Sequence, residues 1–284
     1  MNVEATELTA WKGRTQTSTD WAAPAPIRGL AALLDRALDA SPGSVAPPLA
    51  HWLYFLPDAP QSELGVDGHP RTGGFLPPVK LPRRMWAGSR VQFHSDLRIG
   101  AQMTRTSRIA DVNVKQGRSG ALVFVQVAHE VCCDGVLAIS EEQDIVYREA
   151  VSSSSPPAAA PIQSNERQAA TWSRTIRPDP VLLFRYSALT FNAHRIHYDR
   201  PYAMQEEHYP ALVVHGPLIA TLLLDLVLRS LPNARIAQFS FRAMAPLFDS
   251  APFSVCGARD TDAVRLWAHD ERGVVATEAR AVLV

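Results

Sequence analysis

The segment GPLIATLLLDLVLRS, residues 216–230, carries apolar side chains on nearly every side of a helix, and this constrains the fold more than any other stretch. A surface helix has one apolar stripe, whereas a helix that is apolar all round must be buried on most sides. Fifteen residues make a rod about 22 Å long, so an element of comparable length has to cover it. The sequence that follows supplies the cover. FSFRAMAPLFDSAPFSVCGAR (239–259) alternates in β fashion, and AVRLWAHDERGVVATEARAVLV (263–284) reads as strand, Glu-Arg-Gly turn, strand.

The first half of the chain repeats this outline. MWAGSRVQFHSDLRIGAQMTRTSRIADV (85–112) resembles the first of those pieces, and VKQGRSGALVFVQVAHEV followed by ISEEQDIVYRE resembles the second. GLAALLDRALDA (29–40) has apolar residues at helical spacing and offers a helix for this half. Between the halves, VSSSSPPAAAPIQSN (151–165) is Ser, Pro and Ala with almost nothing to pack, which is linker composition. The expected organisation is an N-terminal unit over 1–150, a linker over 151–168 and a C-terminal unit over 169–284, in the α+β class with antiparallel sheet. A buried helix wrapped by a long antiparallel sheet is the hotdog arrangement, and two such units in one chain make a double hotdog.

Charge narrows the choice of partner. The 28 basic and 28 acidic residues cancel, which argues against a nucleic acid or an anionic membrane surface, since both call for a cationic excess. A small-molecule ligand is expected instead. The cysteines, Cys132, Cys133 and Cys256, are odd in number and two are adjacent, so neither a disulfide framework nor metal-ligand spacing is present. The N-terminal residues show no charged start followed by an apolar run, and nowhere do eighteen apolar residues follow one another. A soluble, cytoplasmic protein is expected.

The stretch FRYSALTFNAHRIHYDRPYA (184–203) places two histidines, an asparagine and an aspartate close behind an apolar run. It resembles the signature of the MaoC-like, (R)-specific enoyl-CoA hydratase family, whose pattern runs Ser-x-x-Thr-Gly-Asp-x-Asn-Pro-aliphatic-His-x-Asp and ends in a small residue. Ser187, Thr190, Ile196, His197, Asp199 and Ala203 match it. Phe191 stands where the family has Gly, Asn192 where it has the catalytic Asp, and His194 where it has Asn. VVHGPLIATLL (213–223) matches the family's His-Gly segment at the start of its central helix. Together with WLYFLP, LGVDGHP, GGFLPPVKLPRRMWAG and EEQDIVYRE, the motif resembles a subgroup of 3-methylfumaryl-CoA (mesaconyl-C4-CoA) hydratases and mitochondrial 3-hydroxyacyl-thioester dehydratases.

This resemblance implies a double hotdog that reversibly adds water to an enoyl thioester without metal or redox cofactor, CoA being part of the substrate. The C-terminal half would be catalytic and the N-terminal half a degenerate hotdog that makes room for the acyl group. The implied substrate is a short branched dicarboxylic enoyl-CoA, 3-methylfumaryl-CoA or itaconyl-CoA, giving citramalyl-CoA. A homodimer is expected, because hotdog units commonly pair their sheets. Two other readings stand beside it: a dehydratase of 3-hydroxyacyl thioesters on acyl-carrier protein or CoA, and a non-catalytic acyl-CoA-binding hotdog protein.

Hydration needs a base for the water proton, an acid for the α-carbon and donors for the enolate oxygen. His197 is the residue of the motif suited to proton transfer near neutral pH. The amide of Asn192 can orient water but cannot take its proton, so His197 is expected to shuttle the proton alone. His194 and His215 are either further proton carriers and substrate contacts or hydrogen-bonded structural residues. Asp199 could fix the imidazole tautomer or brace the loop. Gly216 begins the buried helix, with Pro217 in its first turn, and its end offers free N–H groups to a developing oxyanion. In the family the matching glycine has that role; a plain helix start would look the same. Lys80, Arg83 and Arg84, on a Gly- and Pro-rich segment, could meet CoA phosphates or a substrate carboxylate, or form a solvated turn. The acidic cluster Glu141, Glu142 and Asp144 lies in an alternating strand and is expected to face solvent.

Overall fold

The computed structural model describes residues 3–117, 120–150 and 170–284, so the linker expected over 151–168 lies outside the described residues. Chain order gives α1 (Val3–Thr9), β1 (Thr15–Trp21), α2 (Pro24–Leu34), β2 (Arg83–Phe93), β3 (Gln102–Gly117), β4 (Gly120–Cys133) and β5 (Val136–Arg148). There follow β6 (Trp172–Ile176), α3 (Pro180–Thr190), α4 (Gly216–Ser230), β7 (Ile236–Ala243), β8 (Phe253–Arg259), β9 (Ala263–Asp270) and β10 (Val275–Leu283). All ten strands join one antiparallel sheet in the order β1-β3-β4-β5-β2-β7-β10-β9-β8-β6. Read from either edge toward the middle, the order is the same. The repeat seen in the sequence is therefore a repeat of topology, and the two halves meet where Gly88–Gln92 of β2 pairs with Gln238–Arg242 of β7. Gly88 is required at this seam, because a Cβ there would lie 2.5 Å from the Phe241 carbonyl oxygen.

The helices depart from the expectation of one central helix per half. α2 runs over Pro24–Leu34 rather than 29–40: Pro24 suits the first turn, and Asp35 stops the helix in the left-handed conformation at φ 51°. Its counterpart is α3, which likewise follows an outer strand, and α2 and α3 pack on each other. Among the described residues only the C-terminal half has a long central helix, α4, seated on β6, β8, β9 and β10. In its place the N-terminal half has residues 35–82, which hold nine of the 22 prolines and form only the 3-10 turns Ala50–Leu53 and Gln61–Glu63. Proline removes a helical donor and clashes with the preceding turn, so this stretch cannot make a second central helix. Among the described residues the N-terminal half therefore has no counterpart of α4.

α4 is buried continuously from Leu218 to Val227, as its composition requires. One charged residue interrupts it. Asp225, 3% exposed, accepts from Arg36 beyond the end of α2 at 3.1 Å, from Arg174 of β6 at 3.0 Å and from Arg229 of α4 itself at 2.7 Å. Three guanidinium groups on one carboxylate tie both halves to the helix and pair the buried charge of Asp225.

Glu141 corrects the expectation of a solvent-facing acidic cluster. Alternation along β5 puts Glu142 and Asp144 outward, where both pair with Arg90, but it turns Glu141 inward to 3% exposure. There it meets Ser89 Oγ at 2.7 Å, His51 Nε2 at 3.0 Å and Trp52 Nε1 at 3.1 Å. Burial pushes this carboxyl up, yet the His51 and Ser89 bonds outweigh it and hold the group at about 2. A carboxyl lower in the folded than in the unfolded chain stabilises fully above its unfolded value, about 4.5, and loses this as pH falls toward 2. Glu141→Gln should therefore cost about 2 kcal/mol at neutral pH in urea unfolding. The difference from the wild type should shrink as the acid range is entered.

Candidate active site

The site is assembled by the end of α3 and the turn that follows. Asp179 caps α3 by accepting from Leu182 N–H at 2.7 Å, and Pro180 occupies the first turn. The helix stops at Phe191, which is left-handed at φ 46° and exposed. This is the conformation glycine adopts most easily, which accounts for Gly at that position in the resembling family. Asn192 Oδ1 then accepts from His194 N–H at 2.9 Å and closes a local turn. A 3-10 turn, Arg195–His197, follows. Asp199 accepts from Arg195 Nε and Nη2 at 2.9 and 2.7 Å and from Tyr202 N–H at 3.1 Å. Of the two roles open to Asp199 it therefore braces the loop.

The tautomer of His197 is set by backbone instead. Nδ1 lies 2.7 Å from the Val213 carbonyl oxygen; a carbonyl only accepts, so Nδ1 carries the hydrogen and Nε2 keeps a lone pair. The His197 ring stacks on His215 with centroids 3.7 Å apart and an 18° interplanar angle, and His194 stands edge-on at 5.4 Å. A further histidine completes the row: His69, 4.1 Å from His194, reaches in from the N-terminal half. Its Nδ1 is 2.8 Å from Asp67 Oδ2. At the other end, His215 Nε2 is 2.9 Å from Ser187 Oγ, and its Nδ1 has no partner among the described residues.

Burial dominates the electrostatics of this row. It lowers His197 to about 4. It lowers His215 well below the ordinary value and His194 strongly, with the neighbouring His69 adding to the latter. His69 is also lowered by burial, although the hydrogen bond to Asp67 pulls the other way. At neutral pH the rings are bases, with lone pairs available. Arg84 places a positive charge near Asp67, His69 and His194.

Of the three basic residues singled out in the sequence, Arg84 is the one brought to the row. Arg83 is buried and committed to Glu207, whose carboxylate is 2.6 Å from Nε, and Lys80 is exposed. Gly216 begins α4 beside His215; by helix geometry the N–H groups of Gly216 and Leu218 lack intrahelical acceptors. Trp52 and Trp86, with centroids 5.0 Å apart, pack with Phe241 near the β2–β7 seam. The Trp86 carbonyl oxygen would be 3.8 Å from a Cβ on Gly216. An apolar wall thus adjoins the start of α4.

Asp67, His69 and His194 bring atoms of ligand type within 4.8 Å of one another. The Asp67–His69 hydrogen bond and the nearby charge of Arg84 fit a hydrogen-bonded dyad better than a cation site. Sequence reasoning assigned no role to Asp67 and His69, although LGVDGHP carries a signal: a carboxylate and an imidazole two residues apart around a glycine. That glycine, Gly68, has φ +89°, and a Cβ there would lie 1.9 Å from the Ala193 carbonyl oxygen. Gly68→Ala should cost more than about 1 kcal/mol, read as a lower Tm, by forcing this turn off the loop that carries Ala193.

Comparison with known proteins adds a family. The model for hydroxyacyl-thioester dehydratase type 2 matches residues 49–249. A mesaconyl-C(4)-CoA hydratase of Chloroflexus aurantiacus is 50% identical over 95% of both chains. A mitochondrial hydroxyacyl-thioester dehydratase type 2 of Schizosaccharomyces pombe is 28% identical over 84% of this chain and 88% of its own. Among solved structures, a Mycobacterium tuberculosis protein with a double hotdog fold aligns with a TM-score of 0.58 at 14% identity, over 96% of each chain.

Proposed function

The chain belongs to the hydroxyacyl-thioester dehydratase type 2 family, and on that premise we propose that it reversibly hydrates an enoyl-CoA ester, with 3-methylfumaryl-CoA or itaconyl-CoA as substrate and citramalyl-CoA as product. The observation that carries the reading is the fixed tautomer of His197, whose free Nε2 is a buried base. In hydration of 3-methylfumaryl-CoA, whose double bond is conjugated with the thioester, Nε2 takes a proton from water as the oxygen bonds to the β-carbon, and the electron pair moves onto the thioester oxygen. That oxygen is met by the N–H groups of Gly216 and Leu218 and by the positive end of α4. The same proton then goes to the α-carbon. Asn192 holds the water through its amide N–H, its oxygen being taken by His194 N–H.

The substrate assignment draws on the 50% identical relative and on Arg84, which offers a guanidinium to the free carboxylate of a dicarboxylic monothioester. His194 and His215 border the ester on either side of His197. Catalysis belongs to the C-terminal half, and the N-terminal half closes the acyl pocket. The enzyme is read further as a cytoplasmic homodimer that needs no metal or redox cofactor. Among the described residues no helix is long and apolar enough to cross a membrane. A second reading, dehydration of a 3-hydroxyacyl thioester, is the same chemistry in reverse and has the support of the S. pombe relative.

Turnover followed by mass spectrometry with 3-methylfumaryl-CoA, itaconyl-CoA and crotonyl-CoA tests this. One ester should gain water with the wild type, and His197→Ala should lower kcat by about 10²-fold or more. If the esters bind and none reacts, the reading fails. Because His197 must be neutral to act, kcat/KM should fall as pH drops through about 4. Arg84→Met should raise KM for the dicarboxylic esters about thirtyfold, the equivalent of ~2 kcal/mol for a charged hydrogen bond, and leave crotonyl-CoA unaffected.

A further inference from the structure

The proton that leaves water has few places to rest in this site. His197 is backed by a backbone carbonyl and not by a carboxylate. Among the described residues, the one carboxylate bonded to a ring of the row is Asp67, on Nδ1 of His69. This pair comes from the N-terminal half and is fastened to the catalytic loop at three points. Arg195 N–H donates to the Asp67 carbonyl at 2.9 Å, Arg195 Nη1 donates to the Val66 carbonyl at 2.9 Å, and Gly68 lies against Ala193. His69 then touches His194, which touches His197. A proton placed on His69 would be felt at His197.

We infer that Asp67 and His69 form a second acid–base pair of this active site, lent by the N-terminal half, which holds the proton that His197 removes from water until the α-carbon takes it. The inference rests on the hydratase reading. As the water oxygen bonds to the β-carbon, one O–H bond breaks and its proton passes to Nε2 of His197, while the π pair moves onto the thioester oxygen. The proton moves along the row, by way of His194 or a bridging water, to Nε2 of His69. There the Asp67 carboxylate balances the imidazolium, which a dry site would otherwise penalise. It returns to His197 and forms the C–H bond at the α-carbon as the enolate collapses. The ester gains one water and the protein ends unchanged. Asp67 and His69 act through His197, so their role is positioning and holding charge.

The test uses Asp67→Asn and His69→Gln, both close in shape to the originals, in the full chain with 3-methylfumaryl-CoA, and each again combined with Asn192→Asp. Each single variant should lower kcat roughly a hundredfold with KM within about twofold. Because His69 must be neutral to receive the proton, the acid limb of kcat/KM carries its titration beside that of His197. Asp67→Asn should move this part of the limb to lower pH, since His69 would then face Arg84, His194 and His197 with no negative charge to favour its protonated form. Nitrogen NMR of the histidines should show the same downward shift without substrate. Asn192→Asp, by placing a carboxylate on the catalytic loop, should restore kcat about tenfold. A turn that merely supported the loop would leave the acid limb in place and gain nothing from Asn192→Asp. Wild-type kcat in both single variants overturns the inference and leaves the hydratase reading intact. Absence of turnover by the wild type overturns that reading and the catalytic role together. A divalent cation retained stoichiometrically by the wild type and lost in His194→Ala overturns the proton-holding role in favour of a metal site.

Discussion

Everything in this molecule is arranged around the need to keep α4 dry. Its buried length rests on β6, β8, β9 and β10, and the price of its one carboxylate is three arginines drawn from both halves of the chain. Placing α4 also places the chemistry. The residues that lead into the helix supply the Val213 carbonyl that orients His197, the His215 ring that stacks on it, and the N–H groups of the first turn. A displacement of the helix by an ångström would disturb His197, His215 and the first-turn N–H groups together, and the proposed proton transfer at carbon requires that precision.

The N-terminal half shows what becomes available when a repeat gives up its central helix. Strand order and pairing are kept, so the sheet stays continuous through the β2–β7 seam. Where the helix would lie, a proline-rich stretch makes short turns, and their contacts are specific. Ala50–Leu53 delivers His51 and Trp52 to Glu141, and the 64–70 turn delivers Asp67 and His69 to Arg195 and His194. Turns of this kind are held by hydrogen bonds from side chains to backbone rather than by an apolar face, and they can bring polar groups into a site where a helix would present a hydrophobic stripe.

How far the sequence discloses this depends on the range of the forces involved. The strands of both halves and the buried helix follow from local periodicity, and the four long strands of each half were legible in order. The motif singles out His197, which the structure places in the row of buried rings. α2 was misplaced because its start depends on a proline at the first turn and its end on the left-handed Asp35, neither of which shows in the apolar spacing. α3 was passed over because its apolar residues face several ways: Leu183 and Tyr186 are buried while Val181 and Phe184 are exposed. The inward turn of Glu141 was hidden because the alternation that exposes Glu142 and Asp144 gives no sign of the partners waiting on the other face. The contact of His69 with His194 is tertiary, and no local pattern encodes it.

The same burial that makes the row legible as a site also sets its chemical problem. Desolvation leaves His197 with a lone pair at neutral pH, which suits a base, and makes its protonated form short-lived, which suits a group that must hand its proton on. A carboxylate in direct contact would stabilise the imidazolium and hold the proton more firmly. Here the loop offers an amide at position 192 and a backbone carbonyl at Nδ1, and the nearest carboxylate on the row lies beyond two further rings. Distance weakens the hold of that carboxylate on His197 without abolishing it, since Coulomb attraction falls slowly in a poorly solvated interior. The arrangement therefore keeps His197 reactive while placing the balancing charge where the proton can be stored.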